Sequence, residues 1–443
     1  MITMRVAKEL EWKQGAHYQL AVVGGGPAGI GAALAAARRG VKTVLLESYG
    51  FLGGVGTKSC VPLYFGFGTN GRQCTAGLSE EFVRRMDELG AASLMVDNRC
   101  EMPEFRPIAG RPLLAKVQMQ PETMKLVYRR MLAEAGVDCM LYAHVVDAVV
   151  EDGKMRALLV SCLEGPVLLW AESFIDATGD ALVLAAAGAG VRKYAREDSM
   201  HNSMFFFVGG VTPFQHEHNC AIYEQAYREG RLPQKVWDHF GYSVQLHPGV
   251  VQIAVCYAIG DPLDCANMSR MDLELRENVF AIVDFLRREM PGFQHCYLLD
   301  TAMHIGVRAG QGIIGVDTLR EEAVASGRMP EDIVAVIGSS YGAHANSARQ
   351  FMADWSRREE GFCGVPLGAL KSRDLINVLA AGRDISSDPH VIGAFRMMNT
   401  CMTLGEAAGL TAACALEKGI PAQNVAYGDL LPLLQQAGFI LRP

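Results

Sequence analysis

The sequence feature that most constrains the fold is VVGGGPAGIGAALAAARRGVKTVLLE, residues 22–47. After an apolar start it carries the glycines of a Gly-x-Gly-x-x-Gly motif, Gly24, Gly26 and Gly29. Small residues over 30–39 predict a helix, and the apolar run 41–46 predicts a second strand with Glu47 at its tip. The order strand, glycine turn, helix, strand predicts one βαβ unit with parallel strands.

Each glycine of the motif has a physical reason to be a glycine. Gly24 permits a tight turn off the first strand, Gly26 lets the backbone approach a phosphate, and Gly29 lets the helix pack closely on the strand. The free N–H groups at the helix start, around Pro27 and Ala28, and the positive end of the helix dipole would then face a pyrophosphate. The stretch therefore predicts a nucleotide diphosphate site.

The acid at the end of the stretch narrows the choice of nucleotide. Glu47 follows Gly29 by 18 residues, where its carboxylate can accept hydrogen bonds from both ribose hydroxyls of an adenosine. A carboxylate there disfavours a 2′-phosphate, and so disfavours NADP. The motif alone does not separate FAD from NAD, but its place near the amino terminus of a 443-residue chain favours a resident FAD.

Composition excludes several other classes of protein. The chain is 50% apolar and 20% charged with a net charge of −7, which favours a large core and argues against nucleic acid as the main partner. No apolar run reaches the roughly 18 residues of a membrane span, and the first residues lack the apolar core of a signal peptide. Twelve cysteines without a Cys-x-x-Cys pair give no support for a metal site. We expect a cytoplasmic protein with neither a membrane span nor a bound metal.

Three later segments carry a family resemblance. They are SYGFLGGVGTKS (48–59), FIDATGDA (174–181) and the long stretch 364–419, which contains AAGRDIS and TLGEAAG. Together they resemble the FAD-dependent oxidoreductases of the glutathione-reductase-type flavin fold, a group related to fumarate reductase flavoproteins. The resemblance implies an α/β fold whose Rossmann-like FAD-binding domain is discontinuous in sequence.

The resemblance also implies a set of cofactor contacts. Asp384 would bond a ribityl hydroxyl, and residues 405–409 would open the last long helix with their N–H groups facing the flavin pyrimidine ring. Because no histidine occurs between Glu47 and Gly77, the FAD is expected to be noncovalent. The remaining implied contacts are Ser48, Gly53, Gly54, Thr57, Lys58, Ser59, Val146, Ala177, Thr178, Gly179, Gly382, Gly405, Ala407 and Ala408.

The same resemblance divides the chain into domains. Residues 1–200 would form the first part of the FAD-binding domain, with a small excursion at 61–114. Residues 201–344 would form an inserted α+β substrate or cap domain. Residues 345–443 would complete the FAD-binding domain.

Four residues are candidates for the chemistry. His304 and Arg308 are four apart, so a helix would place them on one face, with His304 as a base and Arg308 holding a carboxylate. His390 follows Asp384 by six residues, and Arg396 matches an arginine of the family. Each has an ordinary structural alternative, such as a core histidine or an interface ion pair. His344 is a weaker candidate.

A flavin carries the redox chemistry and the protein supplies position and a proton route. We expect hydride transfer between flavin N5 and an alcohol- or amine-bearing carbon of a small organic substrate. The alternatives are a C=C reductase of the fumarate reductase kind, an FAD-binding electron-transfer or assembly subunit, and a non-redox modifier of RNA. The electron acceptor (oxygen, quinone or a redox protein) and the oligomeric state, a homo-oligomer included, stay open.

Overall fold

The structure is a computed structural model, and it describes residues 12–95, 105–106, 108, 110–114, 116–194, 200–338 and 361–443. Its strands are β1 Lys13–Val23, β2 Thr43–Leu46, β3 Leu63–Tyr64, β4 Gly68–Thr69, β5 Arg72–Gln73, β6 Ala92–Met95, β7 Phe105–Arg106, β8 Lys116–Met119, β9 Asp138–Met140, β10 His144–Glu151, β11 Lys154–Cys162, β12 Gly165–Asp176, β13 Val191–Lys193, β14 Asn202–Gly209, β15 Tyr242–Val244, β16 Val251–Ala258, β17 Tyr297–Thr301, β18 Gln311–Ile313, β19 Ile333–Ile337, β20 Cys363–Pro366 and β21 Val378–Ala380.

The helices alternate with these strands along the chain. They are α1 Pro27–Ala37, α2 Val55–Lys58, α3 Leu78–Glu88, α4 Pro121–Glu134, α5 Leu182–Ala186, α6 His216–Arg228, α7 Cys265–Glu289, α8 Glu321–Ser326, α9 Ile392–Phe395, α10 Met398–Lys418 and α11 Tyr427–Gln436. Short 3₁₀ turns lie at Leu367–Ala369, Pro389–Val391 and Ala422–Asn424.

The main sheet has the strand order β10-β11-β12-β1-β2-β9, with β21 also paired to β12. β1 runs parallel to both β2 and β12, β9 runs parallel to β2, and β21 runs parallel to β12. The carboxyl ends of these parallel strands therefore lie along one edge, where α/β sheets bind their ligands. The predicted α/β fold with a Rossmann-like parallel sheet is confirmed.

On the side away from β1, strand β12 has two different neighbours along its length. Its first half, residues 165–170, pairs antiparallel with β11, which belongs to the β10–β11 meander. Its last residues, Phe174 to Asp176, pair parallel with Val378 to Ala380 of β21. The sheet is thus completed by a strand some two hundred residues further along the chain.

Helix α1 packs against helix α10 through small residues. A Cβ atom added at Gly405 would overlap the carbonyl oxygen of Ala28, and one added at Gly409 would overlap that of Ala32. The two backbones therefore approach as closely as glycine allows. The expectation that residues 405–409 open the last long helix is wrong, because α10 already begins at Met398 and these residues lie in its middle.

A second core lies under an antiparallel sheet within residues 202–301. The strand order is β15-β16-β14-β17, and the long helix α7 packs against β14 and β16. The core contains Met204, Phe206, Val208, Ile253, Val279 and Phe285, all buried. This unit supports the proposal of an inserted α+β cap.

Two smaller sheets join these parts. The order β3-β8-β6-β7 forms within residues 63–119, beside α3 and α4. β18 returns to pair with β13, and Ile313 N donates to the Asp384 carbonyl oxygen. The proposed domain boundary at 344, like the candidate His344, lies outside the described residues.

Candidate functional site

A cavity of about 840 Å³ lies at the carboxyl ends of β1, β2, β12 and β21. Residues at the start of α7 and just before it, among them Leu263 and Met268, also line it. Many residues singled out from the sequence line its wall, namely Gly24, Gly26, Pro27, Ala28, Glu47, Ser48, Gly54, Lys58, Ala177, Thr178, Gly179, Gly382, His304 and Arg396. Segments far apart in sequence therefore share one pocket.

The turn from β1 into α1 explains its glycines. Gly24 has φ +109°, a backbone conformation that other residues rarely adopt, and a Cβ there would overlap the Ala177 carbonyl oxygen. Gly29 faces inward, where a Cβ would overlap the Gly24 carbonyl oxygen, and so it does not line the cavity. Gly26, Pro27 and Ala28, by contrast, line the cavity at the N-terminus of α1. This is the geometry of a phosphate-binding turn.

Glu47 is held rigidly at the tip of β2. Its Oε2 accepts a hydrogen bond from Gly25 N at 2.7 Å, and its Oε1 accepts bonds from Tyr49 N at 2.9 Å and Ser48 Oγ at 3.0 Å. A carboxylate oxygen accepts two bonds, so Oε2 keeps one lone pair for a ligand. The acid is therefore positioned before any ligand arrives.

The segment after Glu47 turns at Gly53 and Gly54 and forms the single turn α2. Lys58 at its end lines the cavity, and its Nζ lies 4.6 Å from the centre of the Tyr49 ring. Burial lowers the pKa of Lys58. Thr57 points away, because its Oγ1 donates to the Leu52 carbonyl oxygen at 2.8 Å.

A second turn follows β12 and meets the turn after β21. Asp384 Oδ2 accepts bonds from Gly179 N at 3.0 Å and Ala181 N at 3.3 Å. Beside it, Arg383 makes a bidentate ion pair with Asp180, with both distances 2.6 Å. Asp180 and Arg383 line the cavity and were not singled out from the sequence. The sequence feature that could have indicated Asp180 and Arg383 is their position next to Gly179 and Asp384.

His304 and Arg308 lie in a segment without helical structure, so the expectation that a helix places them on one face is wrong. Gly306, between them, exchanges backbone hydrogen bonds with Ser203 of β14. His304 lines the cavity; its Nδ1 lies 2.6 Å from the Ile305 carbonyl oxygen. Arg308 lies behind the cavity wall and donates to the His201 carbonyl oxygen.

Of the other two candidate catalytic residues, Arg396 lies on the cavity wall and His390 does not. Arg396 lines the cavity just before α10, and burial lowers its pKa to about 10. Burial and the nearby Arg396 charge hold the pKa of Arg308 well below its usual value. His390 is not on the cavity wall, and its Nδ1 lies 3.1 Å from Glu321 Oε2 in α8.

Several implied cofactor contacts lie off the cavity wall. The side chain of Val146 is half exposed, while its neighbour Val145 lines the cavity. The start of α10 contributes Met398 and Cys401 to the wall, which the misplaced helix start concealed. The predicted residues that do not line the cavity are Gly29, Gly53, Thr57, Ser59, Val146, Arg308, Asp384, His390, Gly405, Ala407 and Ala408.

A family model described as FAD dependent oxidoreductase matches residues 19–435. The chain belongs to this FAD dependent oxidoreductase family. It is an enzyme family, and FAD is the cofactor. No protein of the curated set matches the chain in sequence.

Solved structures show that the fold is shared with other flavoproteins. CabE, an aromatic hydroxylase from angucycline biosynthesis, is 13% identical with a TM-score of 0.50, over 96% of this chain and 70% of that one. A geranylgeranyl bacteriochlorophyll reductase-like protein from Thermoplasma acidophilum is 13% identical with a TM-score of 0.49, over 95% of this chain and 83% of that one. At such identities the likeness concerns the fold alone.

The cavity of this FAD dependent oxidoreductase fits its cofactor. Gly26 leaves open backbone at the α1 N-terminus, since a Cβ there would meet only Gly54 Cα at 3.8 Å, and Glu47 Oε2 keeps a lone pair. Asp384 Oδ1 is fully buried and has no hydrogen-bond partner among the described residues, a need that a ligand hydroxyl would satisfy. Across the described ranges, no helix has both the length and the apolar character needed to cross a membrane.

Proposed function

We propose that this FAD-dependent oxidoreductase removes hydrogen from an alcohol- or amine-bearing carbon of a small organic substrate. The observation that carries the proposal is His304, an imidazole on the cavity wall whose Nδ1 faces the Ile305 carbonyl oxygen and whose Nε2 has no hydrogen-bond partner in the described part of the chain. Oxidation of an alcohol or amine needs a group that takes the proton from oxygen or nitrogen. His304 has the chemistry for that role.

The hydrogen bond of His304 sets its tautomer. Nδ1 faces the Ile305 carbonyl oxygen at 2.6 Å, and a carbonyl only accepts, so Nδ1 carries the hydrogen. Nε2 then holds the lone pair. Burial, followed by the positive charge of Lys58, lowers the pKa of His304 to about 4. The imidazole is therefore neutral at physiological pH, with Nε2 open to a proton, and its low pKa makes it a weaker base than an ordinary histidine.

The remaining charges of the site support substrate orientation. Bound FAD supplies the hydride-accepting chemistry when the substrate C–H bond breaks. His304 Nε2 receives the proton of the substrate hydroxyl or amine, and the product is a carbonyl compound or an imine. Arg396 and Lys58, both cations on the wall, attract negative charge that develops on the substrate heteroatom. Oxygen, a quinone or a redox protein then takes the electrons from the reduced enzyme.

The test is anaerobic reduction of the purified holoenzyme. Its chromophore is first released by acid, which also checks that the FAD is noncovalent. Alcohols and amines are then screened for bleaching of the flavin absorbance. With a substrate in hand, His304→Gln should slow bleaching by about 100-fold or more, the usual contribution of a general base.

The matched control is His239→Gln, a change at an exposed histidine beside Asp238. It should bleach at the wild-type rate. Bleaching of His304→Gln at the wild-type rate, with its FAD content intact, would contradict the role of His304. Bleaching by no alcohol or amine would contradict the proposed reaction.

One observation favours C=C reduction as the second candidate. Arg396 lines the cavity with its pKa lowered to about 10, and such a guanidinium gives up a proton more readily than a free one. A reductase needs an acid of this kind to protonate the second alkene carbon. Re-oxidation of the reduced enzyme by an activated alkene would select this candidate. A response to none of these compounds would select an electron-transfer subunit.

A further inference from the structure

We propose that Asp384 binds the FAD as a neutral carboxylic acid, with its proton on Oδ1 and donated to the cofactor. The proposal concerns cofactor binding and does not depend on which substrate the enzyme oxidises. It goes beyond the implied role of Asp384 as a ribityl contact, which leaves its protonation state open.

The geometry separates the two oxygens of Asp384. The residue is 0% exposed. Oδ2 accepts hydrogen bonds from Gly179 N and Ala181 N, whereas Oδ1 has no hydrogen-bond partner among the described residues. Oδ1 lies 3.9 Å from the position of a Cβ on Gly382, a residue of the cavity wall. A buried oxygen beside the cavity with no donor of its own is a poor place for negative charge.

A second buried acid competes for the same charge. Asp176, at the end of β12, is also 0% exposed. It accepts four hydrogen bonds, from Thr178 N at 3.1 Å, Thr178 Oγ1 at 2.7 Å, Val183 N at 2.9 Å and Leu184 N at 3.0 Å. Two of these come from the N-terminus of α5, where a negative charge is favoured. Burial raises the pKa of Asp176 too, but four donors favour its ionised form against two for Asp384, so Asp176 is the better site for the anion.

Two buried carboxyl groups that interact do not both ionise readily. Burial, and then the charge of Asp176, hold the pKa of Asp384 well above its usual value. Arg383 opposes this, but its Nη1 and Nη2 each donate to an Asp180 oxygen at 2.6 Å. The other titratable neighbours are neutral, because burial raises the pKa of both Tyr194 and Cys401 to about 12.

A neutral acid suits the cofactor better than an anion would. FAD brings a doubly charged pyrophosphate into the same cavity, and an ionised Asp384 would add a further buried negative charge close to Asp176. The protonated Oδ1 can donate to an oxygen of the cofactor, which an ionised carboxylate cannot do. The neutral form thus removes repulsion and provides a hydrogen-bond donor at once.

The experiment measures FAD affinity of the apoprotein by quenching of flavin fluorescence. Asp384→Asn keeps the shape and a donor without the charge, so it should bind FAD within about threefold of wild type. Asp384→Ala, which loses the donor, should bind at least tenfold more weakly, the loss of about one good hydrogen bond. Asp147→Asn, at an exposed acid on β10, is the control for removal of a charge.

Calorimetry in two buffers of different ionisation enthalpy then counts the protons released on FAD binding. Wild type and Asp384→Asn should release the same number. A loss of affinity of tenfold or more in a folded Asp384→Asn variant would overturn the proposal, because it would mean that an anion is required. One extra proton released by wild type would also overturn it, because Asp384 would then ionise on binding.

Discussion

At the residue scale, the site depends on side chains whose direction is fixed by backbone groups. Glu47 is the clearest case, because Gly25 N and Tyr49 N hold both of its oxygens in place. The carboxylate does not have to be ordered when a ribose arrives, so less conformational entropy is lost on binding. The same three bonds make Glu47 a support for the loop that carries Gly25.

We predict that Glu47→Gln weakens FAD binding by about 10- to 100-fold, the loss of one or two hydrogen bonds to a charged acceptor. Glutamine fills the same volume, but its amide nitrogen cannot accept from Gly25 N or Tyr49 N, so the variant should also lose about 1–3 kcal/mol of stability. Fluorescence titration of apoprotein with FAD gives the affinity. Glu417→Gln, at an exposed acid of α10, serves as the control. Wild-type affinity in Glu47→Gln would show that no ribose contact is made there.

The residues that the sequence located best are those whose role is fixed by the local chain. Gly24 and Glu47 belong to a single βαβ unit, so spacing alone placed them at the cavity. His304 and Arg308 depend on how residues 303–310 lie against β14, which no local pattern encodes. The Asp180–Arg383 pair joins two turns some two hundred residues apart, and only the folded chain brings them together.

At the element scale, the contact of α1 with α10 packs the helix of the phosphate turn tightly against the last long helix. Gly405 and Gly409 allow the two helices to approach. The small residues at 405–409 are compatible with a helix start beside a ligand and also with a face that packs on another helix. The sequence alone did not distinguish these two interpretations. By contrast, α4 and α7 each bury one face of regularly spaced apolar residues, a pattern that a sequence alone reveals.

We predict that Gly409→Ala destabilises the protein by about 1–3 kcal/mol, the usual cost of overpacking, because its Cβ would overlap the Ala32 carbonyl oxygen. Gly428→Ala in α11 is the matched control, since a Cβ there meets no atom within 4 Å. It should leave the stability unchanged or raise it by up to about 1 kcal/mol. Urea unfolding of the holoenzyme compares the two. Equal urea unfolding midpoints for the two variants would mean that α1 and α10 move apart to accommodate the added methyl group without a loss of stability.

At the scale of the whole molecule, one buried acid links global stability to pH. Glu406 lies in the middle of α10, 4% exposed, and its Oε2 accepts a hydrogen bond from Leu78 N at the start of α3 at 3.0 Å. Burial raises its pKa to about 8 from an ordinary value of 4.5. Between these two values the folded protein holds a proton that the unfolded chain has lost. Stability therefore falls as the pH rises through this window.

We predict that Glu406→Gln removes this part of the pH dependence. The variant should gain stability relative to wild type as the pH rises from about 4.5, and the difference should level off above about pH 8. Urea unfolding midpoints of the holoenzyme across this range measure the effect. Glu417→Gln, on the exposed face of the same helix, should follow the wild-type curve. A stability difference between Glu406→Gln and wild type that does not change with pH would show that the pKa of Glu406 is not raised, and would contradict the prediction.

The divided pairing of β12 also dictates the order in which the molecule can be assembled during synthesis. Residues 165–170 pair with β11, which is made just before them. Phe174 to Asp176 gain their neighbour on that side only after Val378 to Ala380 have been made. The intervening antiparallel unit is translated, and has every partner strand it needs, before that last parallel strand leaves the ribosome. The cofactor pocket consequently cannot be complete before this part of the chain has been made, since Gly382 and Arg383 follow directly behind β21 and Met398 and Cys401 come later still.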